Sequence, residues 1–294
     1  MAVLGLGVRG TLVTSAIEHP AVLLAAEKRG RSVVQLGPGA GGRVPEAAFE
    51  EALAQPGVTL CALQAANNET GVLQPVAEVA ALARRRDLPT FVDAVQAPGR
   101  IPPMFDAESV AYSAHKFGGP AGVGMLVVCR GLDFDPLVPG HQEGGRRGGT
   151  PSVVLCEAAA LALELAERGR AEVAARMQRL RDALEAALPR QIPGLRVNGA
   201  GAPRLPNTSN VRFPGADGEA LLIALDLEGF SVSLGAACAS GTMRPSPVLL
   251  AMGLTPDQAR SSLRISLGPE TTEADVEALV QALFRAAQRQ SSPA

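Results

Sequence analysis

The 294-residue sequence has no tryptophan, one tyrosine and eight phenylalanines. That scarcity removes the aromatic platform on which single-stranded nucleic acid stacks. A net charge of −2 with a pI near 6.0 leaves no electrostatic footprint for nucleic acid or an anionic membrane surface. Although 47% of the residues are apolar, they fall in short runs broken by Gly, Pro and charge, none long enough to span a bilayer. The first fourteen residues are apolar but contain Arg9 and lead into a strand-like segment without a small-residue cleavage site, so no signal peptide is expected. The four cysteines, Cys61, Cys129, Cys156 and Cys238, lie far apart and form no CxxC pair. A zinc cluster or disulfide framework is therefore not expected, no metal site is assigned, and a cytoplasmic compartment fits.

Lysine is also scarce. Of 27 basic residues only Lys28 and Lys116 are lysines. Arginine stays protonated, whereas a desolvated lysine loses its proton and attacks carbonyls to form a Schiff base. Lys116 lies in Ala111-Tyr-Ser-Ala-His-Lys-Phe-Gly-Gly-Pro120, at the end of a strand-like run inside a glycine-rich turn. A surface lysine in a turn is the plain alternative.

From Met1 to about Cys129 short apolar runs alternate with helical patterns. Residues 11–14, 33–36, 58–63, 90–93, 110–113 and 123–128 read as strands, and 21–28, 46–54 and 76–85 as helices. Strands separated by helices imply parallel βαβ units and a mainly parallel sheet with helices on both faces. Ligands bind beyond the carboxyl ends of such strands. His19, Asn67 and Asn68, Asp93, and Ser113 to Lys116 follow four of the strand ends and are expected to share one cleft.

A loop rich in Gly and Arg, 140–150, precedes a long helical stretch over 152–188, bent near Gly169. Strands at 210–213, 231–234 and 263–266 and helices at 218–227, 247–252 and 273–288 follow. The last helix opens on Thr272 with Asp275 three residues on, a capping arrangement. Residues 288–294 read as disordered. The whole is expected to be an α/β protein, with a large domain over 1–168 and a smaller α+β domain over 169–294.

A Schiff-base lysine is most useful with a carbonyl cofactor, and pyridoxal phosphate then needs an acid at its ring nitrogen, donors at its phosphate and a group at its ring oxygen. Asp93 suits the first role, although an Asp capping the next turn reads equally from the sequence. Ser113, His115, Thr150 and Gln96 are candidate phosphate donors. His19 suits stacking on a planar ring or proton shuttling, against a plain helix-start role before Pro20. The glycine-rich loop matches neither GxGxxG nor the P-loop spacing, so it reads as a carrier of Arg147 and Thr150 toward an anionic group. Cys61, Cys129 and Cys156 read as core packing, whereas Cys238, among small residues in Gly235-Ala-Ala-Cys-Ala-Ser-Gly-Thr242, is a candidate nucleophile. Arg264 is a candidate fork for a substrate carboxylate, with a surface arginine as the alternative.

These motifs have a familiar arrangement. Ser15-Ala-Ile-Glu-His-Pro20, Asn67-Asn-Glu-Thr-Gly71, Val92-Asp-Ala-Val-Gln96, Ser113-Ala-His-Lys116, Arg147-Gly-Gly-Thr150, Gly235-Ala-Ala-Cys238 and Ser262-Leu-Arg-Ile-Ser-Leu267 together resemble the cysteine desulfurases, pyridoxal-phosphate enzymes of the class V aminotransferase group. The likeness covers nearly the whole chain, and the span from Cys238 to Leu254 resembles the subgroup with the longer cysteine loop. It implies Lys116 as the cofactor-bonded lysine and proton carrier, Asp93 at the ring nitrogen and His19 over the ring. It further implies Asn68 and Gln96 at the ring oxygen, Ser113, His115 and Thr150 at the phosphate, with Thr150 reaching across a homodimer, and Asn68 and Arg264 on the substrate. Cys238 would take sulfur from L-cysteine as a persulfide and release alanine, for a protein sulfur acceptor such as one in iron–sulfur cluster assembly. The alternatives are a related selenocysteine lyase or aminotransferase, or an inactive truncated paralogue. The resemblance also places a Gly-Ala-Thr-Glu-type phosphate turn ahead of the helix that Met1 to Leu6 resembles, and the sequence given starts after it. A helix N-terminus is itself an anion site, so its loss would weaken cofactor binding; either the start codon is misplaced, which is the preferred reading, or the chain is a true truncation with poor cofactor retention.

Overall fold

The computed structural model describes residues 2–7, 9–103, 105–235 and 244–291, and the chain divides into two compact units. Unit 1 comprises Met1–Pro38, Val44–Ala66 and Gln74–Arg170; unit 2 comprises Gly39–Arg43, Asn67–Leu73 and Ala171–Ala294. The late boundary lies at Arg170, and the two short early segments group with unit 2.

Unit 1 runs α1 (Ala2–Gly5), β1 (Thr11–Ser15), α2 (Pro20–Arg29), β2 (Val33–Leu36), α3 (Glu46–Leu53), β3 (Val58–Gln64), α4 (Val76–Arg84), β4 (Thr90–Asp93), β5 (Ser109–Ser113), β6 (Gly124–Val128) and α5 (Val153–Arg168). Its sheet has the order β2-β1-β3-β4-β5-β6, parallel throughout except that β6 runs antiparallel to β5. The central strands are apolar without alternation because both faces are covered. Val13, Cys61, Leu63 and Val92 pack with Phe49 of α3 and Val79 of α4. Leu12, Leu60, Ala62 and Phe91 pack on the other side with Val3 of α1 and Val22 and Ala26 of α2. Each fully buried leucine contributes about 1.5–3 kcal/mol.

Local signals fix the helix that follows β1. Pro20 starts α2 at a position where its missing N–H costs nothing, and Gly30 ends it in the left-handed region (φ 69°), its N–H reaching the Ala26 and Glu27 carbonyls. Buried Arg31 then donates through Nε to Val3 O (3.3 Å), through NH2 to Leu6 O, and through NH1 to Thr59 Oγ1 (3.0 Å), pinning α1.

Unit 2 runs α6 (Arg170–Gln191), β7 (Arg196–Val197), β8 (Thr208–Arg212), α7 (Gly218–Leu227), α8 (Pro247–Ala251), α9 (Pro256–Arg260), β9 (Ser262–Ser266) and α10 (Glu273–Ser291). An antiparallel sheet, β7-β8-β9, packs Val211, Phe213, Leu263 and Ile265 against Leu184 and Leu188 of α6, Leu221 and Leu225 of α7, and Leu283 of α10. Thr272 caps α10 as expected: its Oγ1 accepts from Asp275 N (3.2 Å) while Asp275 Oδ2 accepts from Thr272 N (2.8 Å).

Four expectations need correction. Gly169 separates two helices, α5 and α6, instead of bending one. The expected strand over 231–234 is reduced to a single antiparallel bridge, Ser233 with Arg264 of β9. The tail assigned to disorder from Gln288 continues α10 to Ser291. Cys129 and Cys156 are exposed; of the three described cysteines only Cys61 is in the core. No helix among the described residues is long and apolar enough to cross a membrane.

Candidate active site

In unit 1 the parallel strands deliver polar side chains at their carboxyl ends. β1 ends at Ser15, and His19 follows as the N-cap of α2, exposed, with Nδ1 accepting from Ala21 N at 3.1 Å. That bond leaves Nε2 as the ring's other nitrogen, the one that carries the proton in the neutral form. β4 ends at Asp93, whose Oδ1 accepts from Val95 N at 3.0 Å. The carboxyl is half-buried, and its pKa is raised by desolvation, opposed by the Val95 hydrogen bond and the charge of His19. β5, paired with β4, ends at Ser113 and leads into a 3-10 turn, Ala114–Lys116.

The lysine turn is shaped by close contacts. Phe117 N and Gly119 N both donate to Ala114 O (3.1 and 2.9 Å), and a Cβ at Gly119 would lie 2.9 Å from the Ala114 Cβ. Only glycine lets the chain double back so tightly. His115 and Lys116 are exposed at the tip, and Ser113 Oγ lies 2.9 Å from His115 Nδ1. Arg100, which sequence reasoning passed over, joins the two strand-end turns: NH1 donates to Gln96 O (3.1 Å) and NH2 to Lys116 O (2.8 Å). An arginine bonded to two backbone carbonyls is a fixed strut, and a lone Arg in an Ala-Pro-Gly-Arg turn carries no sequence signal for that role. Burial lowers its pKa from the usual arginine value.

The glycine-rich loop is less tied down. Gln142 bridges Arg147, Arg147 Nε donates to Gly148 O at 3.3 Å, and Thr150 is exposed.

In unit 2 the corresponding polar residues are mostly buried and bonded. Asn67 Oδ1 accepts from Glu69 N and Thr70 N, both at 2.9 Å, and from Thr70 Oγ1 at 3.2 Å, which makes Asn67 a turn builder. Asn68 is half-buried, and its carbonyl accepts from Arg264 NH1 at 3.1 Å. Arg264 Nε is buried without a hydrogen-bond partner among the described residues, so the guanidinium retains donor capacity. Glu69 is buried. Its Oε2 accepts from Ser246 Oγ at 2.5 Å, and a Cβ at Gly235 (φ 85°) would sit 2.5 Å from the same oxygen. Burial raises the Glu69 pKa, opposed by Ser246 and by the charge of Arg264. Cys238 lies outside the described residues.

The residues of unit 1 fit pyridoxal phosphate. Asp93 is desolvated, and among the described residues no Lys or Arg pairs with it, a state suited to a protonated ring nitrogen. Ser113 and His115 provide donors beside Lys116. By contrast a cleft of about 720 Å³ in unit 2, lined by Ile192, Phe213, Phe284 and Arg289, contains none of the candidate residues.

The model of the family described as aminotransferase class-V matches residues 2–279. An IscS-like cysteine desulfurase of Mycobacterium tuberculosis is 40% identical over 285 residues, covering 94% of this chain and 72% of that protein. A cysteine desulfurase of Enterobacter agglomerans is 40% identical over 276 residues, covering 92% and 68%. The X-ray structure of a NifS-like protein from Rickettsia africae has a TM-score of 0.85 with this chain at 31% identity, covering 95% and 76%. The chain belongs to the class-V aminotransferase family, and within it to the cysteine desulfurases.

Proposed function

We propose that this chain removes sulfur from L-cysteine, releases L-alanine and holds the sulfur as a persulfide on Cys238 for an acceptor protein, as in iron–sulfur cluster assembly. The observation that carries this reading is the placing of Asp93 and Lys116 at the carboxyl ends of two paired parallel strands, with His19 at the end of a third, in a chain 40% identical to cysteine desulfurases. Pyridoxal 5'-phosphate, when bound, supplies a carbonyl for amines and an electron sink for the carbon skeleton.

Each residue has a distinct task. Lys116 would hold the cofactor through Nζ and carry a proton to carbon. Asp93 would hold the ring nitrogen, His19 would pack on the ring, and Gln96 and Asn68 would serve the ring oxygen. Ser113 and His115 would donate to the phosphate, with Thr150 supplied from the neighbouring copy. Arg264 holds the substrate carboxylate through its unused donors, Asn68 beside it. The Cys238 thiolate attacks the substrate sulfur: the S–S bond forms, the carbon–sulfur bond breaks, and its electron pair stays with carbon, which takes up a proton to give alanine.

The active form is a homodimer in the cytoplasm. Val154, Leu161 and Leu165 recur at helical spacing along α5 and are 78%, 56% and 55% exposed, an apolar stripe that a second copy would cover. The function is tested by supplying the cofactor and L-cysteine with a thiol reductant and measuring alanine and sulfide. Equal amounts of both, lost in Cys238→Ser, are expected; sulfide release by Cys238→Ser at the wild-type rate would refute the persulfide.

A further inference from the structure

Glu18 immediately precedes His19 and is only 4% exposed. Its Oε1 accepts from Ser15 Oγ at 2.5 Å and from Gln64 N at 3.0 Å, while Gln64 Nε2 donates back to Ile17 O at 2.7 Å. The segment after β1 and the last residue of β3 are thus clamped reciprocally. Gln64 is in turn the register partner of Asp93, and Ala65 N donates to Asp93 O at 2.8 Å. The clamp therefore reaches the carboxyl ends of three adjacent strands. The second oxygen, Oε2, is buried and has no hydrogen-bond partner among the described residues.

We propose that Glu18 is a positioning residue for the reaction: its carboxyl locks the ends of β1 and β3 together and so sets the His19 ring and the Asp93 carboxylate where the cofactor needs them. The inference rests on the desulfurase reading above and adds a residue to it. An ionised carboxylate with one oxygen buried and unpaired is costly, and a neutral acid in the same place costs far less. The surroundings agree: burial pushes the Glu18 pKa up to about 8, Asp93 adds to the rise, and the bonds from Ser15 and Gln64 oppose it. The other titratable groups in reach are His19 beside it, Asp93 on β4 and Cys61 on β3, whose thiol is pushed above its usual range by burial, Glu18 and Glu108. A site divides acid and base roles by setting two nearby carboxyls apart, one neutral and one charged. With Glu18 as the neutral member, Asp93 would be the carboxyl that carries charge toward the cofactor.

The test begins with protein freed of cofactor, so that it does not depend on turnover. Infrared spectra near neutral pH should show a carboxylic-acid carbonyl band that Glu18→Gln removes. The His19 ring resonances should move in Glu18→Ala, move the same way but less in Ser15→Ala, and stay near wild type in Glu18→Gln, which keeps the shape of the neutral acid. In loaded protein Glu18→Ala should lower kcat about tenfold, a loss in scale with a small displacement of reacting groups, with KM for L-cysteine changing less and Glu18→Gln recovering most of it. If Glu18→Ala fails to fold, Ser15→Ala decides. A band unaffected by Glu18→Gln, or His19 resonances unmoved in Ser15→Ala, would overturn the proposal. If wild type itself showed no cysteine turnover, the desulfurase reading would fail, while the infrared and His19 results would still report on the clamp.

Discussion

The two units use polar residues at strand ends in opposite ways. In unit 1 His19, His115 and Lys116 are exposed, and the described hydrogen bonds of their side chains are few and local. In unit 2 Asn67, Glu69, Thr70 and Asn210 are buried and bonded to one another, to Ser246 and to neighbouring backbone. Residues of the first kind contribute little to folding and are available for a ligand. Those of the second kind hold 67–73 against β8 and the stretch before α8. Glu18, with Ser15 and Gln64, departs from this in unit 1, buried as Glu69 is, but among the described residues it has no arginine beside it as Glu69 has Arg264.

The comparison breaks or sharpens under substitution. Lys116→Ala should give the largest effect and only on chemistry: turnover falls by about a hundredfold to ten-thousandfold, as for loss of a positioned acid–base group, while stability shifts by less than about 0.5 kcal/mol. A matching loss of stability in urea unfolding would erase the distinction. Next is the pH dependence of cofactor-free protein. The folded pKa of Glu18, about 8, lies above its unfolded value near 4.5, so the folded state binds the proton more tightly. Stability from this group is then full below 4.5, falls as pH rises toward 8, and is flat beyond. Glu18→Gln should remove that decline, worth up to about 5 kcal/mol at 1.36 kcal/mol per unit, leaving the slopes of the same sign from Asp93 and Glu69.

Glu69→Ala should act on stability, costing about 2–4 kcal/mol in unfolding because Ser246 and Arg264 lose a buried partner. Gly235→Ala should cost about 1–2 kcal/mol, since its φ of 85° disfavours a side chain and the new Cβ meets Glu69 Oε2. Smallest of all, Cys156→Ser should leave unfolding within about 0.5 kcal/mol and alanine formation at the wild-type rate, because the thiol is exposed on α5.

The strands of unit 1 were legible because a parallel sheet covered on both faces writes itself as short unbroken apolar runs, as in Thr90-Phe-Val-Asp93. The reversed direction of β6 was not, since an apolar run carries no sign of orientation. Ser231-Val-Ser-Leu234 alternates as a half-buried strand does, yet only Ser233 exchanges ladder hydrogen bonds with β9, through Arg264, and alternation alone does not report how many backbone pairs form. Cys156 sits in an Ala/Leu-rich helix that leaves much of its apolar surface uncovered, so composition pointed inward wrongly. The candidates Lys116, Asp93 and His19 were readable from the rule that strand ends carry the site. Glu18 and Arg100 were not: their roles depend on Gln64, Lys116 and other groups distant in sequence, and each looks like an ordinary surface charge. The grouping of 67–73 with unit 2 depends likewise on remote pairs, Val72 with Arg204 and Leu73 N with Pro203 O.

The central claim is that chemistry begins at the strand ends of unit 1 and sulfur leaves on Cys238. It is tested most directly by incubating cofactor-loaded protein with sulfur-labelled L-cysteine without reductant and mapping the label by peptide. The account predicts one alanine per retained sulfur, the label on the peptide containing Cys238 and released by thiol, and neither product in Lys116→Ala. Label on Cys129 or Cys156 instead, or alanine formed at the wild-type rate by Lys116→Ala, would contradict it.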